Sequence, residues 1–317
     1  MDNREIADRL VELSEIFAEH PAFAPLEQKL TELLDLRRAQ LAAGIAPEVD
    51  GIVLTGPSGA GKSTMMKELL KSTVRNLEGI ASDNLNEVIS VLVPSPATEK
   101  SLGTTCLRAL GYKLKRDPPA HIVWGLVRDN LQARATLFLH LDEAQHLCEK
   151  QTPREIQSVN STLKSLMQNP GWPVGLILSG TPILKGMINQ DAQLARRLYP
   201  IELKALNALQ DTDAVINTVL FYAEKAGLVP ASQLQTDDFA ARLIHAASGH
   251  FGLLNKYIFL AIRHVFREGQ GNLRLEHFQS AFAEKAGCMD GMNPFIAMDF
   301  ERIDCSKLYG KEDDYEI

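Results

Sequence analysis

Gly56-Pro-Ser-Gly-Ala-Gly-Lys-Ser63 meets the pattern G-x-x-x-x-G-K-[ST] at every position. This is the spacing of a phosphate-binding loop. Gly56, Gly59 and Gly61 free the backbone to turn its N–H groups inward onto phosphate oxygens. Lys62 has the reach for β- and γ-phosphates, and Ser63 carries a hydroxyl suited to Mg²⁺. Working outward, Gly51-Ile-Val-Leu-Thr55 is a short apolar, β-branched run that predicts a buried strand. Thr64 to Lys71 is rich in helix formers, so the loop sits at a helix N-terminus, where an anion is favoured. The predicted nucleotide cradle is Gly56, Pro57, Ser58, Gly59, Ala60, Gly61, Lys62, Ser63 and Thr64, with ATP and Mg²⁺ as its ligands.

The rest of the chain supplies the frame. Its 317 residues have room for one large domain or two small ones, and 45% hydrophobic with 23% charged residues is ordinary for a globular protein. No apolar run approaches the roughly 20 residues of a membrane span, and Met1-Asp-Asn-Arg-Glu-Ile6 does not read as a signal peptide, so a cytoplasmic location and no membrane partner are expected. The four cysteines form no C-x-x-C pair and read as reduced thiols; the eight histidines make no ligand cluster, and His140, inside an apolar strand, reads as a hydrogen-bonded core residue. A net charge of −7 argues against a broadly basic nucleic-acid binder, although residues 299–317 alone hold a net −4 of it.

Periodicity divides the chain into four parts. Residues 1–48 form an N-terminal helical element, broken at Pro21 and Pro25. Residues 49–204 alternate strands (51–55, 88–93, 136–141, 174–179 and 199–203) with helices, which predicts a parallel sheet. Residues 205–287 carry amphipathic helices near 211–226, 236–247, 252–267 and 275–286, with no strand signal. Residues 288–317 read as a poorly structured acidic tail with Phe295, Phe300, Leu308 and Tyr309 interspersed, which either docks on a partner or merely solubilises.

The second motif is Thr136-Leu-Phe-Leu-His-Leu-Asp-Glu143, an apolar run ending in two acids. Asp142 is the expected Mg²⁺ ligand beside Ser63, and Glu143 the base that polarises the attacking water. Ser179 and Thr181, in Ser179-Gly-Thr-Pro182 at the end of the next strand, either contact the γ-phosphate or attacking water or simply end the strand. Arg196 and Arg197, before the fifth strand, are either a finger reaching a neighbouring subunit's γ-phosphate or a solvated helix end. Lys256 and Arg263 are possible lid contacts, with surface charge the better reading.

These motifs, in this order over residues 49 to about 285, resemble the AAA+ ATPases. The resemblance implies an α/β fold: a P-loop domain with a five-stranded parallel sheet and helices on both faces, a small helical lid domain and N-terminal helices. Within that class, Leu141-Asp-Glu-Ala-Gln-His-Leu147 looks like the D-E-A-Q-H-L of the TniB/TnsC/MuB transposition regulators and of ExeA-like ATPases. Ile16-Phe-Ala-Glu-His-Pro21, Pro94-Ser-Pro-Ala-Thr98 with Ser101-Leu and Leu107-x-x-Leu-Gly-Tyr112, and Ser179-Gly-Thr-Pro182 point to TniB/TnsC. What this implies is a slow ATPase, regulated by self-assembly into a ring or helical filament on duplex DNA, that passes a target site from a selector protein to a transposase. One departure stands out: Ser248-Gly-His-Phe-Gly-Leu-Leu-Asn-Lys256 lacks the lid arginine of a G-x-x-R sensor.

Residues 98–116 carry Lys100, Arg108, Lys113, Lys115 and Arg116 against Glu99. With the resemblance, Lys100, Lys113, Lys115 and Arg116, with Thr104 as a neutral donor, are expected to touch DNA phosphates without reading sequence; without it, a solvated helix face is the better reading. Two other functions compete: an ExeA-like ATPase acting on protein or cell-wall partners without DNA, and a metabolic P-loop kinase. The Asp-Glu pair and the helical lid disfavour the kinase.

Overall fold

Five strands form one parallel sheet in the order β2-β3-β4-β1-β5. They are β1 (Gly51–Thr55), β2 (Val88–Leu92), β3 (Phe138–Asp142), β4 (Gly175–Gly180) and β5 (Leu198–Glu202). The computed structural model describes residues 2–75, 87–269 and 271–305. The expected five-stranded parallel sheet is therefore present, and each strand lies within two residues of its sequence reading. Between and around the strands run α1 (Asn3–Ser14), α2 (Phe23–Ala42), α3 (Lys62–Arg75), α4 (Glu99–Ala109), α5 (Ala120–Ala133), α6 (Pro153–Met167), α7 (Ile183–Asn189), α8 (Ala192–Arg197), α9 (Thr212–Lys225), α10 (Asp237–Ala246), α11 (Phe251–Glu268) and α12 (Leu275–Ala286).

The chain divides into two compact units. One holds the described residues within 22–57 and 62–203, the sheet with α2 to α8. Its central strands are buried from end to end, as a sheet covered by crossover helices requires. Thr98 and Thr152 cap α4 and α6 with reciprocal side-chain bonds to Ser101 and Glu155, which fixes where these helices start. Pro25 does not break the chain. It lies in the first turn of α2, where its missing N–H would have no helical partner, and the break falls between Ser14 and Phe23. Arg37, on α2, is only 1% exposed; it donates to the Pro173 carbonyl and lies 5.6 Å from the Trp172 ring. Arg38 is bound by Asp35 and Glu87.

The other unit holds the described residues within 1–21, 58–61 and 204–317. The N-terminal stretch is thus shared: α1 packs on α11 through Ile6 and Leu13, while α2 belongs with the sheet. The four helices expected over 205–287 are present as α9 to α12. A two-residue parallel bridge between β6 (Val229–Pro230) and β7 (Asn272–Leu273) is too short for a periodic signal and was not expected.

Residues 288–305 differ from the poorly structured tail read from sequence. Phe295 is 3% exposed and packs its ring tilted or edge-on among Phe239, Phe278 and Phe282. Arg242 donates to the carbonyls of Pro294 and Ala297, its guanidinium over the Phe300 ring, and Asn293 bonds the Gln279 carbonyl. Acidic composition hid this because one buried phenylalanine and a few backbone acceptors do the anchoring. Leu308 and Tyr309 lie outside the described residues.

Candidate active site

The phosphate loop leaves β1 and enters α3, as a strand–loop–helix order requires. Gly59 and Gly61 have φ of +78° and +93°, a region L side chains rarely enter. Lys62 is 5% exposed, and its ammonium donates to the Gly56 and Pro57 carbonyls at 2.9 Å each. Burial lowers its pKa, and the nearby charges of Glu143 and Asp142 oppose that shift. Ser63 and Thr64 are exposed on the first turn of α3.

Asp142 ends β3 with its Oδ1 held by two donors, the Ser179 hydroxyl at 2.6 Å and the Glu143 N–H at 3.0 Å. Its other oxygen has no protein partner among the described residues. Ser63 and Asp142 line one cavity of about 560 Å³, together with Lys67, Leu70, Lys71, Ser90 and His140. A serine hydroxyl and one carboxylate are the hard oxygen donors that Mg²⁺ accepts when nucleotide phosphates and water complete its shell. The residues present therefore fit that ion. No cluster of three or more His, Cys, Asp or Glu side chains offers another metal site among the described residues.

Glu143 has left-handed backbone angles, φ 55° and ψ 39°, and begins the 3-10 turn Ala144–Leu147. A non-glycine residue pays about 1–3 kcal/mol for such a conformation, a cost that clusters at functional sites. Its carboxylate accepts a hydrogen bond from Gln145 Nε2. Gln145 is 4% exposed and its Oε1 accepts the Thr181 N–H at 3.2 Å, so one carboxamide ties the acid to the end of β4. Gly180 makes room for it: a Cβ there would lie 2.6 Å from Gln145 Oε1.

A row of polar side chains runs across three strands into this site. Ser90 Oγ on β2 meets His140 Nδ1 at 2.8 Å, and His140 Nε2 on β3 meets Ser179 Oγ at 2.8 Å. His140 is 2% exposed, and burial pushes its pKa down to about 4 against the pull of Asp142, so the ring is neutral near pH 7. The sequence reading of a hydrogen-bonded core histidine was incomplete: the ring also reaches the site through Ser179. Ser90 and Gln145 had no sequence signal of their own, although Gln145 stands inside the Asp-Glu-Ala-Gln segment.

The remaining candidates separate. Ser179 and Thr181 stand at the end of β4 beside Asp142 and Gln145. Arg197 is ion-paired with Glu48, whereas Arg196 is exposed and has no ion pair among the described residues. Arg263 is paired with Glu284, and Lys256 is exposed. In the helical unit, the Gly252 N–H at the start of α11 donates to the Gly59 carbonyl at 3.1 Å, and a Cβ at Gly252 would meet that oxygen at 2.4 Å. Lys100 is ion-paired with Asp117 at 2.6 Å, just beyond the stretch counted as basic, and the Thr104 hydroxyl donates to the Lys100 carbonyl. Lys113, Lys115 and Arg116 are exposed on the segment after α4.

A phosphate-loop strand separated by one strand from an Asp-Glu strand defines a P-loop nucleotide-binding protein. Residues 50–188 match the family model described as an AAA domain, so this stretch is an AAA-family ATPase domain. No curated protein matches the chain. Among solved structures, the Cdc6p protein of Pyrobaculum aerophilum is similar at a TM-score of 0.59 and 15% identity, over 84% of this chain and 68% of that one. Drosophila ORC, solved bound to DNA, gives a TM-score of 0.57 and 12% identity over 92% of this chain and 69% of that one. The ORC1 protein of Aeropyrum pernix, solved in complex with DNA, gives 0.56 and 16% over 81% and 65%. At these identities the likeness is one of fold, and the chain spans about two thirds of each neighbour. No helix among the described residues is long and apolar enough to cross a membrane.

Proposed function

We propose that the chain is an ATP-dependent, DNA-binding regulator of transposition that assembles on duplex DNA and links a target-selector protein to a transposase in the cytoplasm. The observation that carries the ATPase half is the convergence of Lys62, Ser63, Asp142 and Glu143 at the end of a parallel sheet, where such sheets bind ligands. Lys62 meets the β- and γ-phosphates, and the loop N–H groups cradle them. Ser63 and Asp142 hold Mg²⁺, which when bound neutralises charge on the phosphate oxygens. Glu143 takes the proton of the attacking water. Ser179 gives its one proton to Asp142, so Thr181 is the hydroxyl left to meet the γ-phosphate or the water.

Arg196 supports the assembly half, because a finger acting on a neighbouring subunit must be free of its own chain's acids. Turnover is then slow until subunits meet. Lys113, Lys115 and Arg116 support the DNA half as exposed phosphate contacts. Two neighbours of the same fold were themselves solved with DNA. The transposition half rests on the Asp-Glu-Ala-Gln-His-Leu segment and its companion motifs.

The test is ATP turnover of the full chain with and without duplex DNA, alongside electron microscopy with an ATP analogue. DNA-stimulated turnover with rings or filaments on DNA is expected. Turnover indifferent to DNA, with no assembly on it, overturns this reading in favour of an ExeA-like ATPase. Phosphate transfer to a small acceptor points to a kinase.

A further inference from the structure

Asp142 does not stand alone at the end of its strand. In the sheet register Ser90 pairs with His140, and His140 pairs with Ile177. Asp142 and Ser179 each lie two residues further along their strands, so all four polar side chains share one face. The hydrogen bonds run Ser90–His140–Ser179–Asp142 at 2.8, 2.8 and 2.6 Å. Around them the strand residues Leu139, Leu141 and Leu178 are fully buried. An apolar side chain at 140 would fill this position without any polar group to satisfy.

Counting protons fixes the direction of the row. The Asp142 carboxylate only accepts, so the Ser179 hydroxyl gives it its single proton. Ser179 must then accept from His140, which places the imidazole hydrogen on Nε2 and leaves Nδ1 to accept from Ser90. The serine hydroxyl would otherwise rotate; the imidazole N–H allows it one orientation.

We propose that His140 is a positioning residue for metal binding: its Nε2–H aims the Ser179 hydroxyl at Asp142 Oδ1, and so turns the other carboxylate oxygen to the cavity shared with Ser63. The inference rests on the reading of Asp142 as the Mg²⁺ ligand. Partners that orient a ligand are worth 10- to 100-fold in metal affinity as an order of magnitude.

The experiment titrates Mg²⁺ into the full chain at a fixed concentration of a fluorescent ATP analogue and reads the half-saturating Mg²⁺ from anisotropy. Ser179→Ala, nearly isosteric, and His140→Asn are each expected to raise it about tenfold or more. His140→Asn keeps a polar group near Nδ1 but none near Nε2. His140→Gln, whose carboxamide N–H reaches the place of Nε2, is expected to stay within about threefold of wild type. The double variant Ser179→Ala/His140→Asn should bind no more weakly than Ser179→Ala, because both remove one path. Equal losses in His140→Asn and His140→Gln, or additive losses in the double variant, overturn the proposal and leave His140 a core residue. An Asp142→Asn chain with wild-type Mg²⁺ dependence overturns the metal-ligand reading itself, and this inference with it.

Discussion

Lys62 and Glu143 stand at opposite ends of the same reaction and should fail differently. Lys62→Ala removes the main protein cation facing the triphosphate, so binding of an ATP analogue should be lost, as equilibrium fluorescence would read. Glu143→Gln keeps Asp142 and Lys62 and should bind the analogue normally, with turnover down by about 10²–10⁴-fold. Wild-type turnover in Glu143→Gln would remove Glu143 from the base role. His20 makes a prediction in pH. Burial lowers its pKa, so below about pH 6.5 the unfolded chain takes up a proton that the folded ring resists. The folded state therefore loses stability as pH falls below that value, and urea denaturation of wild type against His20→Gln at pH 7 and 5.5 should show a smaller acid loss in the variant. The proposed site residues Lys62, Ser63, Asp142 and Glu143 could be named from sequence because each motif is local: Lys62 and Ser63 are adjacent in the chain, as are Asp142 and Glu143. The bonds of Ser90 to His140 and of His140 to Ser179 were not legible there, because strand register joins residues 50 and 39 apart, and the Gln145–Thr181 bond joins the turn after β3 to the end of β4 across 36.

At the scale of elements, the segment after α12 is part of the helical unit's core. Phe295→Ala should cost about 3–5 kcal/mol, measured by thermal or urea unfolding, because its ring fills a space among three other phenylalanines. A truncation meant to test a docking tail therefore has to begin after Cys305; one that begins at Asn293 removes core. The start of α11 makes a second prediction. A methyl group at Gly252 meets the Gly59 carbonyl, so Gly252→Ala should weaken ATP-analogue binding by displacing the loop, whereas Gly186→Ala, with open space at its Cβ, should not. Strands and helices were legible because long amphipathic or apolar runs dominate their own conformation. The bridge between β6 and β7 was not, since it pairs two residues with partners 43 positions away, and neither was the anchoring of residues 293–303, which depends on α10 side chains.

The whole chain is acidic, with a net charge of −7, so any grip on DNA has to be local. Lys113→Ala/Lys115→Ala/Arg116→Ala should weaken binding to all duplex sequences alike and lower the salt slope by about three per protomer, read by fluorescence anisotropy with an ATP analogue. An unchanged slope would place the DNA contacts elsewhere, although not at Arg37 or Arg38, which are already engaged inside the sheet unit. If Arg196 acts on a neighbour, mixing Arg196→Ala with Lys62→Ala chains should restore part of the turnover that each lacks alone. The order of the strands also bears on how the protein is made. β1 carries the phosphate loop but, among the described residues, pairs only with β4 and β5. At about 5–20 residues per second, a ribosome needs on the order of ten seconds to pass from Thr55 to Gly180. Throughout that interval Gly51-Ile-Val-Leu-Thr55 is an apolar strand without a partner, while β2 and β3 can already pair with each other. A nascent chain stopped before Gly180 should therefore be sticky and unable to hold nucleotide, and the protein should depend on chaperones more during its synthesis than after it.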